Sequence, residues 1–337
     1  MTTTHLQKGA LMGIRKLGDL DLRGPACVFV TVSRTGSTRV VLASDHTVTD
    51  GHSMASVPHK LTDLYTAAIR GVAPQLGSAY GHLDYAESGW ARQTGLTANH
   101  PAIGDRRELI AAHASQLPDF NIAIGAPKSA AQRNGRIRLF DSATARKVDR
   151  ACRPKGGNTV ADVFARLAFA RKAPANQSQF NTVAPFHTRH DPRWRGSVGW
   201  YVGLSPVSFP VSDPFPELLR TARFELKRAK ETARLPCSKA VELHGTPLRN
   251  RLIVTNLDHR RVPGSQCRAR WRTRFLISRS ADPYEGICMS FRHPGTALAR
   301  TAVDGYLNEV SLADYRISAA AEESGGGRLT LAGHQSL

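Results

Sequence analysis

Apolar residues dominate Cys27-Val28-Phe29-Val30-Thr31-Val32 and again Arg39 to Ala43, with the polar run Ser33 to Thr38 between them, a pattern that predicts a β-hairpin. Beyond Gly51, apolar side chains recur at Met54, Val57, Leu61, Leu64, Tyr65 and Ala68, the spacing of one helical face. Pro58 interrupts that stripe, so the helix is expected to begin near Val57, with the stripe packed into a core. Residues 73–133 are rich in Gly, Pro and Ala and read as loops with short helices. A second helix is expected to open at Asn158-Thr159, with Asp162 placed for a weak capping box and Val160, Val163, Phe164, Leu167 and Ala168 inward. Leu219, Ala222, Leu226, Ala229 and Ala233 predict a third helix, and Ala299, Ala302, Val303, Tyr306, Leu307 and Val310 a fourth. Between these, Leu252-Ile253-Val254, Phe275-Leu276-Ile277 and Ile287 to Phe291 read as strands. Helices and strands mixed without strict alternation predict an α/β sandwich. From Ala319 the composition turns to Ala, Glu, Ser and Gly, and a disordered tail is expected over 319–337.

The predicted hairpin leads straight into Ser44-Asp45-His46-Thr47-Val48-Thr49-Asp50-Gly51, an HxxxDG pattern at the end of a strand. Such a spacing suits acyl transfer, in which an imidazole takes the proton of an attacking hydroxyl or amine. With an unperturbed pKa of about 6.5, His46 is available as a neutral base at physiological pH. Asp50 has the wrong acidity for that work and is expected to bind an arginine, while Gly51 lets the backbone bend or approach closely. A metal site built from His46, Asp50, His52 and His59 is disfavoured, because the strand lead-in and Gly51 argue against the helix that would set positions 46 and 50 on one face. No GxSxG nucleophile elbow occurs anywhere in the chain.

Five ordered stretches carry a resemblance. Asp45 to Ser53 is similar to a DHxxxDGxS motif, and Leu83-Asp84-Tyr85-Ala86 with Trp90 to a YxDYAxW element in which His82 replaces the tyrosine. Leu117 to Gly125 resembles LPxFPLxLG. Pro185-Phe186-His187-Thr188-Arg189 is followed by Ser197 to Val207, so that Arg189 precedes Gly199 by ten residues; Asn256 to Gly264 resembles SYxDxRxxPG. Together they resemble the condensation-domain superfamily, and within it the bacterial polyketide-associated acyltransferases, relatives of chloramphenicol acetyltransferase and of nonribosomal peptide condensation domains.

The resemblance implies a chloramphenicol acetyltransferase-like sandwich of two subdomains, here expected at 1–127 and 128–318. It implies His46 as the catalytic base and a structural ion pair between Asp50 and Arg189. An acyl thioester on coenzyme A or on a carrier protein's phosphopantetheine arm would be the donor, and an alcohol, sugar or amine the acceptor, the two meeting in a channel between the subdomains. No bound cofactor and no metal are implied. Trp200, Tyr201 and Ser205 become candidates for lining the channel. Relatives esterify sugars and long-chain alcohols in lipid assembly, and others act in polyketide or nonribosomal peptide synthesis. In the family a substantial region precedes the histidine motif, whereas His46 arrives early here, so the first subdomain is expected to be incomplete. A degenerate, non-catalytic module that docks a carrier protein is the competing expectation.

The remaining composition refines these expectations. A length of 337 residues with 41% hydrophobic content fits two subdomains. Five scattered cysteines without a CxxC argue against a disulfide framework or zinc cluster. With no signal-like apolar core at the start and no stretch of about 18 apolar residues, a cytoplasmic location is expected. The balance of 46 Lys+Arg against 27 Asp+Glu gives +19, sharpest where Arg268, Arg270, Arg272 and Arg274 alternate on one face of a strand. That face is a candidate contact for coenzyme A phosphates, an acidic carrier protein or peripheral anionic lipid. A charge-protected edge strand, or simply arginine-rich coding, are the plainer readings. The other arginines are dispersed and no nucleic-acid motif occurs, so no nucleic-acid partner is expected.

Overall fold

The computed structural model describes residues 27–34, 37–44, 48–76, 80–101, 103–104, 132–152, 154, 158–175, 178–235, 239, 253–258, 276–282 and 286–323. Contacts divide the chain into two compact units, Met1–Trp90 with Arg189–Val202, and Ala91–Thr188 with Gly203–Leu337. The expected division at 127 lies outside the described residues.

In the first unit, strands β1 (Cys27–Arg34) and β2 (Ser37–Ser44) pair antiparallel from Cys27 opposite Ser44 to Arg34 opposite Ser37. This is the hairpin that the two apolar runs and the polar turn between them predicted. Helix α1 (Gly51–Arg70) begins earlier than Pro58 suggested. The reason is its cap: Asp50 is extended, with φ −119°, and its side chain accepts a hydrogen bond from Ser53 N. That cap starts the helix at Gly51 and leaves Pro58 inside it, at a position where it removes one backbone donor. Gly71 ends α1 in the left-handed region, φ 65°, where a side chain would be strained. The apolar stripe is not the core face it was expected to be. Ser53, Ala55 and Ala67 are the buried residues of α1, whereas Leu64 is 39% and Tyr65 68% exposed. Segment 195–200 bonds to His52, Ser53 and Lys60 in the helix's first half.

Helix α2 (His82–Thr94) follows, its residues through Trp90 belonging to the first unit. It falls within the stretch expected to be loops and short helices.

The second unit is built on a six-stranded mixed sheet. Its strands are β3 (Gln132–Phe140), β4 (Gln179–His187), β5 (Val202–Pro210), β6 (Ile253–Asp258), β7 (Leu276–Asp282) and β8 (Gly286–Pro294), in the order β3-β8-β7-β6-β4-β5. Strands β4, β6 and β7 run parallel, and β8 is antiparallel to both β7 and β3. Around the sheet lie α3 (Ser142–Cys152), α4 (Thr159–Ala175), α5 (Phe215–Thr232) and α6 (Ala297–Glu323).

Helix α4 is the centre of this core: over residues 159–170 all but Val160 and Phe169 are buried. Asn158 caps it by accepting from Ala161 N at 2.8 Å. Asp162 does not complete a capping box; it accepts from Arg166 Nε at 2.7 Å, a turn further on. The Arg166 guanidinium lies over the rings of Phe140 and Phe215, 5.1 and 5.6 Å from their centroids. Helix α6 continues to Glu323, past the point where the composition predicted a tail.

Candidate functional site

At the head of α1, Asp50 meets Arg189, which follows β4. Arg189 Nη1 donates to Asp50 Oδ2 at 2.5 Å and Nη2 to Oδ1 at 3.1 Å, a two-pronged pair with both side chains at most 3% exposed. Two backbone amides complete the carboxylate. Ser53 N donates to Oδ1 at 2.8 Å and Tyr201 N to Oδ2 at 3.0 Å, so each oxygen accepts twice. Burial pushes the Asp50 carboxyl upward, but the Arg189 hydrogen bonds and charge, with help from Ser53, outweigh it and hold the group below the usual carboxylate range. One residue thus caps a helix and receives a distant arginine, which explains why the motif needs an aspartate there.

Segment 195–200 is fastened to this clasp by side chains. His52 Nε2 reaches Arg195 O at 3.2 Å, Lys60 Nζ reaches Gly196 O at 2.6 Å, and Arg189 Nη2 reaches Ser197 O at 3.2 Å. Ser53 Oγ donates to Gly199 O at 3.0 Å and His82 Nε2 to Trp200 O at 2.9 Å. Carbonyl oxygens only accept, so both imidazoles carry their hydrogen on Nε2 in these bonds. Five carbonyls of an irregular segment are therefore satisfied by side chains, from α1, from α2 and from Arg189, rather than by a neighbouring strand.

Aromatic rings enclose the clasp. The Arg189 guanidinium sits 4.1 Å from the centroid of Tyr201, whose ring is 4.5 Å from Tyr85, 5.1 Å from His82 and 6.2 Å from Trp194. Gly199 is required for the approach of His82: a Cβ at 199 would stand 2.4 Å from the imidazole Cδ2.

The structure brings Asp50 and Arg189 together as the resemblance implied. Gly51 is the first residue of α1. Tyr201 is fully buried beneath Arg189, while Trp200 is half-buried and holds its place through its carbonyl. Ser205 lies in the second unit, buried, with its hydroxyl 2.8 Å from Thr232 Oγ1 of α5. His46, Leu117 to Gly125, and Arg268, Arg270, Arg272 and Arg274 lie outside the described residues. What sequence reasoning missed is the fastening set: His52, Ser53, Lys60 and His82. Ser53 and His82 stood within or beside the recognised motifs, which was the available signal. Among the described residues no three His, Cys, Asp or Glu side chains gather as a metal centre, and no helix is long and apolar enough to cross a membrane.

The family model of the condensation domain matches residues 11–258. The chain belongs to the condensation-domain family. Among curated proteins, this condensation-domain chain is similar to acyltransferase PapA3 of Mycobacterium tuberculosis, 23% identical over 206 residues, covering 59% of this chain and 44% of that protein. It is also similar to the trehalose-2-sulfate acyltransferase PapA2 of Mycobacterium bovis, 26% identical over 153 residues, covering 44% of this chain and 32% of that one. The chain thus spans less than half the length of these relatives. Among solved structures, a PapA2 acyl transferase superposes with a TM-score of 0.79 at 20% identity, covering 86% of this chain and 68% of that one. A condensation domain that mediates chain release from the enacyloxin polyketide synthase superposes with a TM-score of 0.71 at 15% identity, covering 98% and 69%. These likenesses establish the condensation-domain fold, with its mixed helices and strands.

Proposed function

We propose that this condensation-domain chain is an acyltransferase that moves an acyl group from a thioester, on coenzyme A or a carrier protein, to a hydroxyl or amine acceptor. The observation that carries the reading is the Asp50–Arg189 clasp, which fixes the loop four residues downstream of His46 through a buried, doubly hydrogen-bonded ion pair. His46 takes the proton from the acceptor as its oxygen or nitrogen attacks the thioester carbon. The carbonyl becomes an oxyanion, the carbon–sulfur bond breaks, and the leaving thiolate recovers the proton from His46. No covalent acyl-enzyme and no metal enter this sequence.

The name of the trehalose-2-sulfate acyltransferase supports a sugar or other alcohol as acceptor and an ester as product; lipid or polyketide assembly is the setting that the family resemblance implies. Of the candidate lining residues, Tyr201 and Ser205 are buried and Trp200 is half-buried, which supports Trp200 as the one that touches substrate. The test is thiol release from a series of acyl-coenzyme A donors with trehalose, long-chain alcohols and amines, the products identified by mass. Acceptor-dependent ester or amide formation supports the reading. Binding of an acyl carrier protein with no product from any pair would point instead to a non-catalytic docking module.

A further inference from the structure

Ser53 lies next to the clasp in space, and its hydroxyl has no spare capacity. Oγ accepts from Arg189 Nη2 at 2.8 Å and from Gly199 N at 3.0 Å, and donates to Gly199 O at 3.0 Å. A serine hydroxyl has one hydrogen and two lone pairs, so these three bonds fill it. The side chain is fully buried, and its partners lie 136 and 146 residues away in sequence. Its own amide meanwhile donates to Asp50 Oδ1.

These bonds are unequal in what they hold. Arg189 keeps both oxygens of Asp50 and the carbonyl of Ser197 whether or not Ser53 carries a hydroxyl. Gly199, buried and without a side chain of its own, has its amide and its carbonyl both on Ser53 Oγ. Removing the hydroxyl therefore leaves the ion pair standing while releasing one point of the segment that presents Trp200 and Tyr201. We propose that Ser53 is a positioning residue: it sets segment 197–201 against the head of α1 that follows His46, so that the base and Trp200, the proposed substrate contact, share one frame. This rests on the acyl-transfer reading for its effect on rate, but the link between Ser53 and Gly199 can be measured without turnover.

Ser53→Ala, Ser53→Thr and, as a control on the exposed side of the same helix, Thr62→Ala test it. The first readout is amide hydrogen exchange in the intact chain. Ser53→Ala is expected to lose protection at Gly199 and its neighbours, with α1 and the Tyr201 amide retained, and Ser53→Thr to keep it. The second is steady-state thiol release per folded molecule. Ser53→Ala is expected to lower kcat about tenfold or more, the scale of effect that a small misplacement of reacting groups produces, with donor KM within about twofold. Ser53→Thr should recover most of that loss, and Thr62→Ala should match wild type. Unchanged protection at Gly199 in Ser53→Ala overturns the proposal, as does a kcat that stays at the wild-type value once Gly199 is released. If wild type turns over no donor, the acyl-transfer reading fails on its own, and the exchange data alone decide whether Ser53 positions the segment.

Discussion

Asp50 and Arg189, 139 residues apart in sequence, pair within the first unit, at the head of its long helix α1. The carboxylate accepts from four N–H groups, and the guanidinium lies over the Tyr201 ring, 4.1 Å from its centroid. Breaking one partner of a buried pair strands a charge and costs far more than the pair's net contribution, typically about 3–5 kcal/mol. Asp50→Ala and Arg189→Ala are each expected to lose stability on that scale, measured by chemical denaturation. The double variant Asp50→Ala/Arg189→Ala should lose distinctly less than the sum of the two, because neither charge is then left alone.

Acid should report the same clasp. Since the folded Asp50 carboxyl is held below the ordinary carboxylate range, the stability it provides is complete above the unfolded value of about 3.9 and is lost as pH falls through the folded value. Asp50→Asn, which cannot titrate there, is expected to trail wild type by a constant margin at pH 6 to 8, with the margin shrinking below about pH 4. Denaturation midpoints collected across that range check it, and a margin independent of pH would contradict it.

Cys152 offers an independent check on the second unit. Burial, then the negative charge of Asp162 at 3.8 Å from the sulfur, push its thiol up to about 12. Alkylation requires the thiolate. Iodoacetamide at pH 8 should therefore leave Cys152 unmodified in the native protein and modify it in denaturant, as peptide mass mapping will show.

Much of this was readable from residue order, and the failures have physical causes. The β1–β2 hairpin followed from two apolar runs joined by a polar turn, whereas the Asp50–Arg189 pair came only from the family resemblance, since spacing alone does not pair residues 139 positions apart. Helix α1 was expected too late because Pro58 was weighed without the Asp50 cap, a local hydrogen bond that fixes the first turn whatever follows. The outward face of Leu64 and Tyr65 was misread because helical spacing marks an apolar stripe but does not say what lies against it. Strand β3 went unrecognised because Arg133, Arg136 and Arg138 dilute its apolar signal; its pairing with β8 decides its state. The contacts of Ser53, His52, Lys60 and His82 to segment 195–200 are tertiary hydrogen bonds between irregular backbone and polar side chains. No periodicity encodes these.

The clasp at Asp50 and Arg189 matters for acyl transfer only if the His46 imidazole, four residues upstream of Asp50, moves the proton. The decisive measurement is acceptor-dependent thiol release by His46→Ala beside wild type, with thermal unfolding recorded on the same preparations. Wild-type unfolding with turnover lost is the predicted result. Turnover at the wild-type rate in folded His46→Ala would contradict it.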